Sequence, residues 1–153
     1  MNPFKTAAIY LAMKHRFRRY SREKLAEYQL RRIRKICSYA ANHSPLFREY
    51  FADVDPETMT FEELDSLTLI EKSKMMEEFT RYNTADLYRD ELLSFAEKND
   101  RERNYRRYFE NRYSVGISSG TSGASALAVY SKKEIAESIP KFLARNGMPK
   151  GIR

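Results

Sequence analysis

Cysteine and histidine are scarce in this sequence, which limits the chemistry that it can support. Its 153 residues contain one cysteine, Cys37, and two histidines, His15 and His43. A lone cysteine cannot form an internal disulfide, and these three residues cannot supply the four clustered ligands of a structural zinc site. We therefore assign no metal ligand and expect a reducing, cytoplasmic compartment.

Long apolar runs are also missing. No stretch approaches the roughly 20 residues that cross a bilayer as a helix, so no transmembrane segment is expected. The N-terminal sequence MNPFKTAAIYLAMKHRFRR has a short apolar stretch, but it leads into arginines without a small-residue cleavage site. This pattern argues against a secretory signal.

The sequence has no internal repeat and no low-complexity linker, and its length fits one domain. We divide it into a basic N-terminal segment, residues 1–20, and a main part, residues 21–153. Residues 1–35 hold 11 Lys or Arg and two acidic residues, a net charge of +9, whereas the remaining 17 basic and 19 acidic residues give −2. Such a segment could contact anionic lipid or nucleic acid, but a solvated helix face is the simpler interpretation.

Aromatic and basic residues also alternate in Asn104–Phe109. Tyrosines beside arginines can stack on nucleic-acid bases, but tyrosines with a buried ring and a wet hydroxyl are ordinary at the edge of a core. The sequence contains no recognisable nucleic-acid-binding module, so we expect no specific nucleic-acid partner.

Residues 21–100 have helical periodicity. Apolar side chains recur every three or four residues after Ser21, which predicts an amphipathic helix ending near Asn42. Ser44 before Pro45 predicts a short second helix, and Thr60 with Glu63 forms a capping-box pattern that starts a third.

Two further helices are expected before residue 100. One begins at Ser73 or a neighbouring residue and includes the segment KMMEEF. Thr84 is the expected N-cap of the other, ADLYRDELLSFAEK. The residues of this last helix that we expect to be buried are Leu87, Leu92, Leu93 and Ala96.

The periodicity changes in residues 111–131, where two short β-prone segments flank a loop of Ser, Thr and Gly. Ser131 and Glu134 then form a second capping-box pattern for a helix over residues 132–146. Pro140 should kink this helix or limit its beginning. Its expected apolar stripe is Ile135, Ile139, Phe142 and Leu143. The predicted fold class is predominantly α with one strand–loop–strand element (α+β), in which five or six helices precede the strands.

The most informative segment is that loop, Ser118-Ser119-Gly120-Thr121-Ser122-Gly123. Glycines permit close backbone approach, consecutive amides can surround phosphate oxygens, and hydroxyls add neutral donors. No lysine follows either glycine, so the segment is not the nucleotide P-loop. On composition alone, a loop of Ser and Gly is more often a plain flexible connection than a phosphate site.

In sequence, SSGTSG resembles the signature loop of acyl-adenylate-forming (AMP-binding) enzymes, and its surroundings resemble the phenylacetate-coenzyme A ligase branch. The resemblance extends over roughly residues 22–145 and includes YAANHSPLFREYF, MTFEELDSLTLIEKSKM and the strand and helix start after the loop. One departure is that Ala124 and Ser125 stand where the family commonly has lysine and proline after the last glycine.

The resemblance implies an N-terminal fragment of an α/β ligase that activates a carboxylate with ATP and Mg²⁺, with coenzyme A as a possible acyl acceptor. Residues Ser118, Ser119, Gly120, Thr121, Ser122 and Gly123 would contact the β- and γ-phosphates of ATP. The family's magnesium-binding acid and C-terminal lysine have no counterpart here. We therefore assign no catalytic residue and expect these 153 residues to be inactive alone.

Two other functions stay open. The chain could be a noncatalytic helical interaction module that keeps the loop as an inherited feature. It could also be one half of a split adenylating enzyme that a complementing chain completes. Under both alternatives, the two predicted strands would have unpaired edges. Such edges favour self-association or docking to a partner chain.

Overall fold

The computed structural model describes residues 2–118 and 126–147. Seven helices, rather than the expected five or six, precede the first strand in this part of the chain. The helices are α1 (Pro3–Arg19), α2 (Arg22–His43), α3 (Pro45–Tyr50), α4 (Phe61–Ser66), α5 (Lys72–Glu77), α6 (Phe79–Tyr82) and α7 (Arg89–Arg101). Strands β1 (Tyr113–Ile117) and β2 (Leu127–Ser131) and helix α8 (Lys132–Asn146) follow. The fold is thus predominantly α with a short β element, as predicted.

The two strands form an antiparallel pair with a simple register. Val115 lies opposite Val129, and Ile117 lies opposite Leu127. Directly opposite residues project to the same face of a sheet, so this register gathers apolar side chains on one face.

That face covers the main apolar cluster of the protein. Its buried residues are Met76, Phe79, Leu87 and Leu92, contributed by α5, α6, the α6–α7 connection and α7. Tyr113, Val115, Leu127 and Val129 of the hairpin pack against them. The predicted burial of Leu87, Leu92 and Ala96 is confirmed, while Leu93 is half-buried.

Helix α8 packs against α1 as well as against β2. Lys5 Nζ on α1 donates to Glu137 Oε1 on α8 at 2.7 Å, and this hydrogen bond, aided by the lysine charge, lowers the pKa of the Glu137 carboxyl. Glu137 therefore stays ionised and paired at neutral pH.

The predicted apolar stripe of α8 was partly wrong. Ile139 and Phe142 are exposed, whereas Pro140 and Ala144 are the buried residues of this helix. The other two residues of the predicted stripe, Ile135 and Leu143, are half-buried. Pro140 does not limit the start of the helix either, because α8 begins at Lys132.

The predicted helix starts are otherwise mostly confirmed. The side chains of Ser21, Ser44, Thr60 and Ser131 each accept from a backbone N–H in the first turn of the following helix. Thr60 and Ser131 belong to complete capping boxes in which the glutamate bonds back to the cap backbone. The sequence between Glu71 and Glu77 also forms the expected helix, α5, which starts at Lys72.

Thr84, however, does not cap a helix. Helix α7 begins only at Arg89, and Tyr88 is its N-cap without a side-chain bond. Asn83 explains the delay: its Oδ1 accepts from the N–H groups of Ala85 and Leu87, each at 3.0 Å, and its amide donates to the Leu87 carbonyl at 2.9 Å. These bonds hold a turn in place of the helical hydrogen-bond pattern.

The packing predicts that Leu92→Ala lowers the free energy of unfolding by about 3 kcal/mol, because Leu92 is fully buried in the cluster and alanine would leave a cavity. Leu69→Ala is the matched control, since Leu69 is 88% exposed and should change stability by less than about 0.5 kcal/mol. Urea unfolding followed by circular dichroism measures both. Equal midpoints for the two variants would contradict the assignment of the core.

Candidate phosphate-binding site

The candidate loop leaves the hairpin at Ser118 and returns to it at Ala126. The Ser118 N–H donates to the Ala126 carbonyl at 2.9 Å, and the Ala126 N–H donates to Ser118 Oγ, also at 2.9 Å. Both ends of the loop are thereby held together one residue beyond the strand pair. Of the predicted site residues, Ser118 is at this base, and Ser119, Gly120, Thr121, Ser122 and Gly123 lie outside the described residues.

A lysine from an earlier helix reaches the same serine. Lys72 Nζ, on the first residue of α5, donates to Ser118 Oγ at 3.5 Å. Ser118 Oγ thus accepts two hydrogen bonds, which uses both of its lone pairs. Its hydroxyl hydrogen has no acceptor among the residues that the structure describes, so it can donate to an anionic oxygen.

The position of Lys72 is fixed by packing one turn further along α5. The Leu127 N–H lies 3.3 Å from Met76 Sδ, and the Met76 side chain is buried in the cluster beneath the hairpin. Lys72 and Met76 are four residues apart and so project from the same face of the helix. Burial of Met76 therefore directs Lys72 towards the base of the loop.

Sequence reasoning missed Lys72. It is 46 residues from Ser118 along the chain, and it has no local motif to distinguish it from Lys74 two residues later. The available signal was the spacing of Lys72 from Met76, which predicts a shared helix face but not what that face contacts.

A cleft of about 1010 Å³ borders this region between β2 and helices α5 and α6. Lys72, Tyr82, Arg112 and Lys133 contribute polar groups, and the apolar wall includes Leu127 and Val129. Burial raises the pKa of the Tyr82 phenol, so its hydroxyl stays protonated at neutral pH. The cleft is at the upper limit of the usual size of small-molecule pockets, and its volume alone does not indicate a substrate class.

Three carboxylates line the cleft, and two of them, Glu134 and Glu137, are already engaged, whereas Asp86 is exposed. Glu134 Oε2 accepts from the Ser131 N–H at 2.7 Å in the capping box, and Glu137 pairs with Lys5. Neither arrangement provides the poised acid and base of a proton-transfer site. At the base of the loop, the described polar groups are the Ser118 hydroxyl and the Lys72 ammonium, and both can donate to an anion.

Within residues 2–118 and 126–147, no group of three or more His, Cys, Asp or Glu side chains is placed to hold a metal ion. The same residues contain no helix that is long and apolar enough to cross a membrane. His43, at the end of α2, has its Nδ1 2.8 Å from the Tyr39 carbonyl and stacks on the Tyr39 ring. This placement agrees with a structural role at the helix end.

Comparison with protein-family models, with curated proteins and with solved structures gave no match.

Ser118→Ala should open the base of the loop, because it removes the acceptor of the Ala126 N–H and of Lys72. A neutral hydrogen bond contributes about 1 kcal/mol, so hydrogen exchange at the Ala126 amide should become about fivefold faster. Ser114→Ala is the matched control, since Ser114 is on the same strand opposite Tyr130. Similar acceleration in both variants would show that the Ser118 side chain does not hold the loop ends together.

Proposed function

We propose that this chain is the N-terminal part of an ATP-dependent, carboxylate-activating enzyme of the acyl-adenylate-forming class, related to coenzyme A ligases. The observation that carries the proposal is the placement of the hydroxyl- and glycine-rich sequence between two paired strands. Its first residue, Ser118, is held at the end of β1, where its Oγ accepts from the Ala126 N–H and from Lys72 Nζ.

The order of elements supports the proposal. A strand leads into the sequence SSGTSG, a second strand leaves it, and the capped helix α8 begins directly after Ser131. This order is the one that the resemblance to the ligase family implies. In such an enzyme the loop would donate hydrogen bonds to the β- and γ-phosphates of ATP, where negative charge accumulates as pyrophosphate departs.

Lys72 adds a cation to this site. The family's lysine after the last glycine is replaced here by Ala124. Lys72 lies 3.5 Å from Ser118 Oγ and can bring a positive charge to the base of the loop from α5. In the proposed site, Lys72 neutralises part of the phosphate charge.

Catalysis needs more than residues 2–118 and 126–147 supply. Displacement at phosphorus depends on positioning and on charge neutralisation by a metal ion, and a single loop provides neither a metal site nor an acyl pocket. Each described strand is paired with another strand along one edge only. A longer sheet, built from further residues or from a complementing chain, would complete the adenylating site in this proposal, with Mg²⁺-ATP and a small carboxylate as substrates.

The proposal predicts that pyrophosphate or Mg²⁺-ATP slows hydrogen exchange at the amides of Gly120–Gly123, because those amides would bind phosphate oxygens. Gly120→Val should abolish the protection, since a branched side chain blocks close approach of the backbone. Gly116→Val is the matched control: a Cβ at Gly116 meets no atom within 4 Å, and valine favours strands. Unchanged exchange at millimolar ligand in the parent chain would contradict phosphate binding.

The role of Lys72 has its own test. Lys72→Gln should weaken pyrophosphate binding by roughly tenfold, the effect of losing one charge-assisted hydrogen bond of about 1.5 kcal/mol. Lys74→Gln makes the same change two residues later on α5 and should leave binding unchanged. Isothermal titration calorimetry measures the affinity of both variants. Equal losses of affinity would show that Lys72 acts only through its contribution to the overall charge and not through its position.

A further inference from the structure

Helix α1 presents an apolar stripe that no other described element covers. Phe4 and Leu11 are 84% and 63% exposed. They are seven residues apart, almost two helical turns, so they project from the same side of the helix. Ala7 and Ala8 lie between them on that side and are exposed.

The opposite side of α1 is occupied. Thr6, Ile9 and Met13 are half-buried, and α1 packs against α8, where Lys5 bonds to Glu137. The helix is thus attached to the body of the protein by one face, and its other face is directed outwards.

Cations follow and flank the exposed stripe. Helix α1 contains five basic residues and no acidic one: Lys5, Lys14, Arg16, Arg18 and Arg19. Lys14, Arg18 and Arg19 have no ion-pair partner among the described residues, and Arg18 continues the line of Phe4 and Leu11. Helix α2 adds further positive charge, with Arg16 lying over its Tyr28 ring at 4.7 Å.

We propose that α1 is a docking surface for an anionic lipid bilayer, lying in the plane of the interface with Phe4 and Leu11 inserted among the lipids. An interfacial helix combines an exposed apolar stripe with neighbouring Lys and Arg side chains, and both features are present on α1. This inference is independent of the proposed adenylating function.

The two features together favour lipid over other occupants. A nucleic acid would pair with the cations but would leave Phe4 and Leu11 exposed to water. A second copy of the chain could cover the apolar stripe, but it would bring the same positive helix close, and like charges repel. Of these three occupants, the anionic bilayer is the one that both covers the apolar side chains and neutralises the cations.

Binding should be weak and reversible, because only two large apolar side chains insert. Attraction to anionic lipid falls off within a Debye length, so binding should decline as salt is raised. It should also be stronger for phosphatidylcholine vesicles that contain phosphatidylglycerol than for phosphatidylcholine alone.

The experiment is co-sedimentation of the full chain with those two kinds of vesicle. The double variant Phe4→Ser/Leu11→Ser should lose about tenfold in affinity for the anionic vesicles, since it removes the inserted apolar groups. Leu69→Ser is the matched control, because Leu69 is 88% exposed but lies between α4 and α5. Circular dichroism verifies that each variant keeps its helix content.

Charge is tested separately. Arg18→Gln/Arg19→Gln should lower the affinity by about fivefold for each cation removed. Lys98→Gln/Arg101→Gln makes the same change of charge on α7 and should have a much smaller effect.

Two results would overturn the proposal. One is anionic-vesicle binding by Phe4→Ser/Leu11→Ser that equals that of the parent chain. The other is failure of the parent chain to bind anionic vesicles. In that case, binding of duplex DNA would assign the cations to a nucleic acid, and a dimer that Phe4→Ser/Leu11→Ser dissociates, seen by sedimentation velocity, would assign the stripe to a second copy.

Discussion

The candidate site depends on burial of one face of the β1–β2 hairpin against helices α5, α6 and α7. Val115 and Val129 are directly opposite on that face, and Leu92 beneath them is fully buried. This contact fixes where both strands end and therefore where the loop begins and returns. The same contact buries Met76 and directs Lys72, one helical turn away, to Ser118.

Local chemistry explains what could be predicted from the sequence. The two capping boxes, at Thr60 and Ser131, were identified correctly, because a capping box depends on residues three positions apart. The strand–loop–strand segment was located by its change of periodicity. Thr84 failed as a cap because the amide of Asn83 offered the backbone a competing turn. Ile139 and Phe142 were predicted to be buried from spacing alone, which identifies a face but not the partner that packs against it.

In the candidate site, too, features set by neighbouring residues could be predicted, and features set by tertiary packing could not. The hydroxyl- and glycine-rich sequence is legible in six consecutive residues, Ser118–Gly123, and its interpretation as a phosphate-binding loop remains a proposal. Lys72 could not be predicted, because its proximity to Ser118 results from a packing contact between segments 46 residues apart. Residues Ser118–Gly123 include no cation, and packing of the core brings Lys72 to Ser118, the first of them.

The central claim is that the loop binds the terminal phosphates of ATP, and ligand selectivity tests it most directly. Calorimetric titration of the chain with pyrophosphate, Mg²⁺-ATP and AMP separates the possibilities, because AMP lacks the β- and γ-phosphates. The account predicts that pyrophosphate and ATP bind in competition with each other and that AMP does not displace them. Binding of AMP as tight as that of ATP, or no binding of pyrophosphate at millimolar concentration, would contradict it.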